Sequence, residues 1–292
     1  MDVPEMINYD SWLKYLDEAV DAGDEHDAFK AKVAEIIRDY LVSGDANSVS
    51  QTATKLDDYY WKNFVPTIKD TELLDRIFPV FVSTVYRVVL EVACLIWPND
   101  NKQDMLIKLL LEMKELTPRE LKHNRKDHTA WIDDDLFDYE SSEIYTKKWV
   151  SCNDPPDART RALYIPFQNL LSFLALCYQN DMDAHNRYRS KYLRELMTDV
   201  FEREYHEPRS LTTNFWVKLA ANWIMKAGPA IYAEFGEEPD KWELWAMRFD
   251  ELAERYQRGE ESTNYSEEGS DPHMAAIARG AYERMKVIDP LL

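Results

Sequence analysis

Glycine is scarce in this sequence, with seven in 292 residues against nine tryptophans and seventeen tyrosines. So few glycines argue against glycine-rich phosphate loops and against a β-sandwich with many tight turns. The fingerprints that depend on such loops are missing as well: there is no Gly-x-Ser-x-Gly elbow, no phosphate-binding loop and no dinucleotide fingerprint. Serine-hydrolase, nucleotide-hydrolase and nicotinamide-dehydrogenase readings therefore lose their usual support. Basic residues are also in short supply, 35 Lys and Arg against 54 Asp and Glu, for a formal net charge of -19. A field of that sign repels phosphate backbones and anionic lipid, so neither a nucleic acid nor a membrane is expected as a partner.

Cysteine is limited to Cys94, Cys152 and Cys177, an odd number at wide spacing, with Cys94 and Cys177 inside apolar runs. Buried free thiols in a reducing compartment fit that pattern. The start, Met1-Asp2-Val3-Pro4-Glu5, has neither a basic stretch nor an apolar run, so no secretory signal is read there and a cytoplasmic location is expected. On that expectation the sequon Asn264-Tyr265-Ser266 carries no weight. A long uninterrupted apolar segment is lacking too. The most apolar stretch, Leu73 to Trp97, is broken by Asp75, Arg76, Arg87 and Glu91, each costly at membrane depth, and it reads as a buried core helix.

What is present is helical periodicity. With 45% hydrophobic and 13% aromatic residues, the chain has ample apolar surface to offset the entropy of ordering. Trp12, Leu16, Ala19 and Val20 mark a first helix stopped at Gly23, and Phe29, Val33, Ile36, Ile37, Tyr40 and Leu41 mark a second closed by Gly44. A third from Ser48 ends in the aromatic cluster Tyr59-Tyr60-Trp61 with Phe64, before Pro66. The segment Thr71 to Trp97 is apolar on nearly every face, with Pro79 as a kink site, and is the expected central helix. Met105, Leu106, Leu109, Leu110 and Met113 follow, and then Thr117-Pro118-Arg119-Glu120 has capping-box spacing.

Periodicity is lost from Lys122 to Asp138 and again at Pro155-Pro156, which predicts a long bent connection. It returns from Phe167 to Tyr178, in a charged helix through Tyr188, Leu196 and Val200, and in two Trp-rich helices that stop at Gly228-Pro229 and Gly259. Residues 259–272 read as a mobile acidic loop, and 273–292 as a C-terminal helix docking back on the body. The expectation is all-α: one helical domain over 1–292, a multi-helix bundle or orthogonal array around a central buried helix at 71–97.

The sharpest local motif is Asp133-Asp134-Asp135-Leu136-Phe137-Asp138. On a helix, Asp134 and Asp138 share a face with Asp135 beside them, a set suited to Mg²⁺ bridging a diphosphate. This resembles the first metal motif of class I terpene cyclases and prenyl synthases. That resemblance implies a Mg²⁺-dependent enzyme acting on a prenyl diphosphate, with Asp134, Asp135 and Asp138 as metal ligands. The sequence departs from the pattern, however: the motif follows a polar run instead of an apolar helix, and no second Asn/Asp, Ser/Thr, Glu motif is found. Acidic runs are equally at home at helix starts, where the dipole favours them. On that simpler reading no cofactor is required. The six histidines, His26, His123, His128, His185, His206 and His273, never show the His-x-x-x-His spacing of a helical zinc site.

Trp216, Trp223, Trp242 and Trp245, with Phe215, Tyr232, Phe235 and Phe249, either fill a core or line an aromatic pocket for an apolar or planar ligand. The runs Leu73–Trp97, Met105–Leu116 and Trp131–Trp149 leading into Phe167–Tyr178 together resemble a fungal family of unknown function. Some of its members are labelled oxopyrrolidine-biosynthesis-cluster protein G-like. The resemblance implies a helical fold, a fungal source and, for some members, a place in specialised-metabolite gene clusters, with no catalytic residues to carry over. The functional expectation is a helical protein that binds a small apolar molecule or a protein partner as an accessory to specialised metabolism. The four tryptophans are its candidate contacts.

Overall fold

A computed structural model describes residues 10–22, 28–67, 71–116, 134–152, 158–180, 189–202, 211–235, 239–259 and 272–292. Among these the chain is all-α, with no strand. It forms two compact units, Met1–Phe173 and Leu174–Leu292.

In the first unit α1 (Ser11–Asp21) packs on α2 (Ala28–Ser43), burying Trp12, Leu16 and Ala19 against a face that carries Val33, Ile37 and Leu41. Gly44 ends α2 with φ +63, a conformation that side-chain-bearing residues rarely adopt. The Asp45 carboxylate then accepts the Asn47 N–H at 2.9 Å and turns the chain into α3 (Val49–Asp58). The helix continues into a wider π-helical turn, Tyr59–Phe64, where Tyr60 is fully buried against Phe81 at 4.9 Å between ring centroids. Of the aromatic cluster marked in the sequence, Tyr60 is the member that enters the core among the described side chains, with Tyr59 and Trp61 half-buried.

The central helix α4 (Thr71–Leu95) contacts α1, α2, α5 (Asn101–Glu115) and α6 (Asp134–Cys152). Phe81, Val82, Val85, Val89 and Val92 are all fully buried. Valine's strand preference is overridden because Val82, Val85, Val89 and Val92 are all packed inside at helical spacing. Pro79 sits inside α4, where it removes one backbone donor without ending the helix. The carbonyls that the end of α4 leaves without a helical donor are satisfied from distant segments. Asn169 on α7 (Ala158–Gln179) donates its amide N–H to the Cys94 carbonyl at 2.9 Å. The Gln103 amide donates to the Ile96 carbonyl at 3.0 Å and to the Asn169 carbonyl at 3.2 Å. Two fully buried amides thus cap α4 and tie α5 and α7 to its end.

The second unit begins within α7 and contains α8 (Arg189–Met197), running into a π-helical turn Thr198–Glu202, followed by α9 (Leu211–Phe235), α10 (Pro239–Arg258) and α11 (Pro272–Ile288). Helix α11 lies against both α9 and α10 and buries Met274, Ala275, Ala278, Ala281 and Met285. Small alanines let the backbones approach. At Gly228 a Cβ would come within 2.6 Å of Ile288 Cδ1.

Two sequence expectations are corrected. The aperiodic stretch to Asp138 contains the first turns of a 19-residue helix, α6. Its inward face carries Glu140 and Ser141, both buried, among Phe137, Ile144 and Tyr145, so the apolar pattern is broken by polar residues that are nevertheless inside. The helix expected to stop at Gly228-Pro229 runs through to Phe235. Pro229 and Met225, the residue whose carbonyl loses its donor, are both exposed, so water can take that bond. The capping box at Thr117–Glu120 and most of the acidic loop at 259–272 lie outside the described residues.

Candidate functional site

A groove of about 570 Å³ opens in the first unit where α2, α4 and α6 meet. Helix α4 supplies most of its wall through pairs spaced one turn apart: Pro79 and Val80, Ser83 and Thr84, Arg87 and Val88. Four-residue spacing puts these on one stripe, while Phe81, Val82, Val85 and Val89 face the core. Lys30 reaches in from α2, and Leu136 and Tyr139 from α6. Val80 and Tyr139 are 55% and 58% exposed, so two large apolar side chains stand at the rim of a concavity.

The polar chemistry is centred on Glu140, whose side chain is 1% exposed. Ser83 Oγ donates to Glu140 Oε1, and Arg87 Nε donates to Oε2 at 2.8 Å. Both carboxylate oxygens are therefore engaged from α4. Thr84 Oγ1 donates to the Val80 carbonyl at 2.7 Å and is used up within the helix. The hydrogen bond to Glu140, joined by the Coulomb attraction of Glu140 and Glu91, raises the pKa of Arg87 above its ordinary value, keeping the guanidinium charged. Its side chain is half-exposed, and among the described residues its two terminal amino groups make no hydrogen bond. Lys30 lies over the Tyr15 ring, 5.9 Å from the centroid. The described residues lining the groove thus include two cations and no carboxylate, in a chain where acids outnumber bases 54 to 35.

A second hollow of about 330 Å³ over α2 and α3 differs in kind. Its lining mixes Lys32, Glu35, Asp39, Lys55 and Asp58, and Lys32 is already paired with Glu35 at 2.7 Å.

The tryptophans singled out in the sequence lie in the second unit. Trp223, Trp242 and Trp245 are fully buried, and Trp216 is partly exposed. Trp245 donates its indole N–H to Glu202 at 3.1 Å and stacks edge-on with Phe235 at 5.6 Å. Trp223 meets Tyr178 at 6.0 Å, Trp242 meets Tyr232 at 5.1 Å, and Trp216 meets Phe215 at 5.1 Å. None of the four lines the groove, which belongs to the first unit. Asp134 opens α6, with Asp135 and Asp138 in its first turns, but their side chains lie outside what is described. Among the described residues no group of three or more His, Cys, Asp or Glu is placed to hold a metal ion.

Lys30, Ser83, Arg87, Tyr139 and Glu140 were not singled out from the sequence as functional. The signal available was a lone arginine inside a run of valines, which requires either a buried counter-charge or an opening to solvent. Arg87 has both.

Residues 86–269 match the family described as protein of unknown function (DUF3632). The chain belongs to that family. Membership in DUF3632 agrees with the expected helical family of unknown function, and the matched range takes in Arg87, Leu136, Tyr139 and Glu140 of the groove. No curated protein and no solved structure matches. Among the described residues of this DUF3632 chain, no helix is long and apolar enough to cross a membrane.

Proposed function

We propose that this protein binds a small apolar molecule in the groove between α2, α4 and α6. The observation that carries the reading is a concavity of about 570 Å³, within the size range of small-molecule sites, with Val80 and Tyr139 held exposed at its edge. Apolar side chains at a rim cost solubility unless something covers them, and a volume of this size suits a small molecule. The sequence resemblance in the helical middle of the chain supports a reading of this binding as an accessory function in fungal specialised metabolism.

The test is titration with Nile red, an uncharged apolar dye, followed by its emission. Wild-type protein is expected to show one saturable site, and Val80→Asp, which sets a charge at an exposed rim position without touching the core, is expected to abolish it. A non-saturating wild-type curve, or an unchanged site in Val80→Asp, overturns the reading.

A further inference from the structure

Resting on that binding reading, we infer that the groove selects a molecule carrying a carboxylate, which docks end-on against the terminal amino groups of Arg87 with Lys30 as the second cation. The geometry begins with the donor that is already committed. Glu140 takes the Arg87 Nε at 2.8 Å, and the Glu140 carboxylate is itself pinned by Ser83. A guanidinium held through Nε presents its remaining edge, two parallel N–H groups, as a fork whose spacing matches the two oxygens of a carboxylate. Glu140 is therefore a positioning residue: it fixes the plane and direction of the fork and touches no ligand.

Charge complementarity points the same way. A net charge of -19 makes the average surface of this protein hostile to anions. Against that background, Arg87 and Lys30 both line one groove, with no acidic residue among the described lining. Glu140 offsets part of the Arg87 charge from behind, which leaves Lys30 to make the groove net positive. The remaining walls, Val80, Val88, Leu136 and the Tyr139 ring, suit the apolar body of an aryl or alkyl acid. A carboxylate fits this donor set better than a phosphate monoester. The latter brings close to two negative charges and three acceptor oxygens, for which one fork and one ammonium are too few donors.

The experiment compares naphthalene-2-carboxylate with its neutral near-isostere 2-naphthamide, each displacing Nile red. The acid is expected to bind about tenfold tighter. Arg87→Met should erase that preference while leaving the amide within about twofold of wild type. Because Arg87→Met also strands Glu140, Arg87→Lys and Lys30→Gln serve as companions that keep the fold. Arg87→Lys keeps the charge but loses the fork and should lose most of the preference, and Lys30→Gln should lose a smaller part. Equal affinity for acid and amide overturns the carboxylate assignment but leaves the apolar groove standing. Tighter binding of 2-naphthyl phosphate than of the carboxylate also overturns it. Saturable Nile red that neither naphthalene compound displaces overturns it too, and absence of the Nile red site removes both readings together.

Discussion

Replacing Gly228 by alanine sets two opposing effects against each other at the contact between α9 and α11. A helix-interior glycine costs about 1 kcal/mol relative to alanine, so propensity alone favours the substitution. Sterically, the new Cβ would lie 2.6 Å from Ile288 Cδ1 and 4.0 Å from Ile224 Cγ2. Carbon pairs are comfortable at about 3.5–4.0 Å, so the Ile288 tip must move by about 1 Å while the Ile224 contact is already well placed. The obstructing atom is the terminal methyl of a half-buried side chain in the last turn of α11, which can turn aside at a cost of about 1 kcal/mol or less, so Gly228→Ala should be neutral to within about 0.5 kcal/mol. Ile288→Val removes the obstructing Cδ1 at a cost of about 1 kcal/mol by itself. In the double variant the alanine methyl occupies the vacated space and the full helix gain survives, so stability should again be about the wild-type value. The coupling energy is then about -1 kcal/mol in the rescuing direction. Urea unfolding at 25 °C, followed by tryptophan fluorescence for the four proteins, measures it. Additivity to within about 0.5 kcal/mol would refute the contact as the reason for glycine at this position.

Four further outcomes are expected. Asn169→Leu leaves the Cys94 carbonyl at the end of α4 without its donor and should cost about 2 kcal/mol in urea unfolding. Arg87→Met should cost about 2–3 kcal/mol, less than a fully buried pair because Arg87 is half-exposed, and adding Glu140→Gln should recover most of it; no recovery would show that the cost is not the stranded charge. Burial pushes the Cys94 thiol from 9.0 up to about 12, so above pH 9 the unfolded chain gives up a proton that the folded one retains. Stability should be unaffected by this group below pH 9 and fall by about 1.4 kcal/mol per pH unit above it. Denaturation midpoints of wild type and Cys94→Ala at pH 8, 9 and 10 should therefore diverge only at the alkaline end. Finally, Asp134→Ala at the first residue of α6 should cost about 0.5 kcal/mol through the helix dipole, and Mg²⁺ should leave the melting temperature unchanged. A rise that requires both Mg²⁺ and a prenyl diphosphate would instead establish metal chemistry there.

Where helices begin and end was legible when one residue type decides the backbone. Gly44 and Gly259, both at positive φ, close helices that the apolar spacing had already marked. The central helix was legible because its apolar residues, Phe81, Val82, Val85, Val89 and Val92 among them, recur at helical spacing and are buried. Helix α6 was not, because Glu140 and Ser141 occupy inward positions, and the burial of Glu140 makes sense only with Arg87 and Ser83 opposite, more than fifty residues away. No local pattern reports a counter-charge at that separation. For the same reason the groove escaped the sequence reading: its residues come from three helices, and no one of them taken alone shows a concavity. Spacing drew attention to the tryptophans, and spacing places three of the four in the interior of the second unit.

The edges of the family match cut across the packing. Position 86 falls within α4, so a truncation beginning there would sever the helix one turn after Phe81 and Val82 and discard Lys30, Val80 and Ser83. Position 269 falls just before α11, so the same truncation would bare the surfaces of α9 and α10 against which Met274, Ala278 and Met285 are packed. The stretch that homology detects is thus shorter than the stretch that closes its own core. Expressed alone, 86–269 should aggregate, while a fragment carrying α1 through α11 should not.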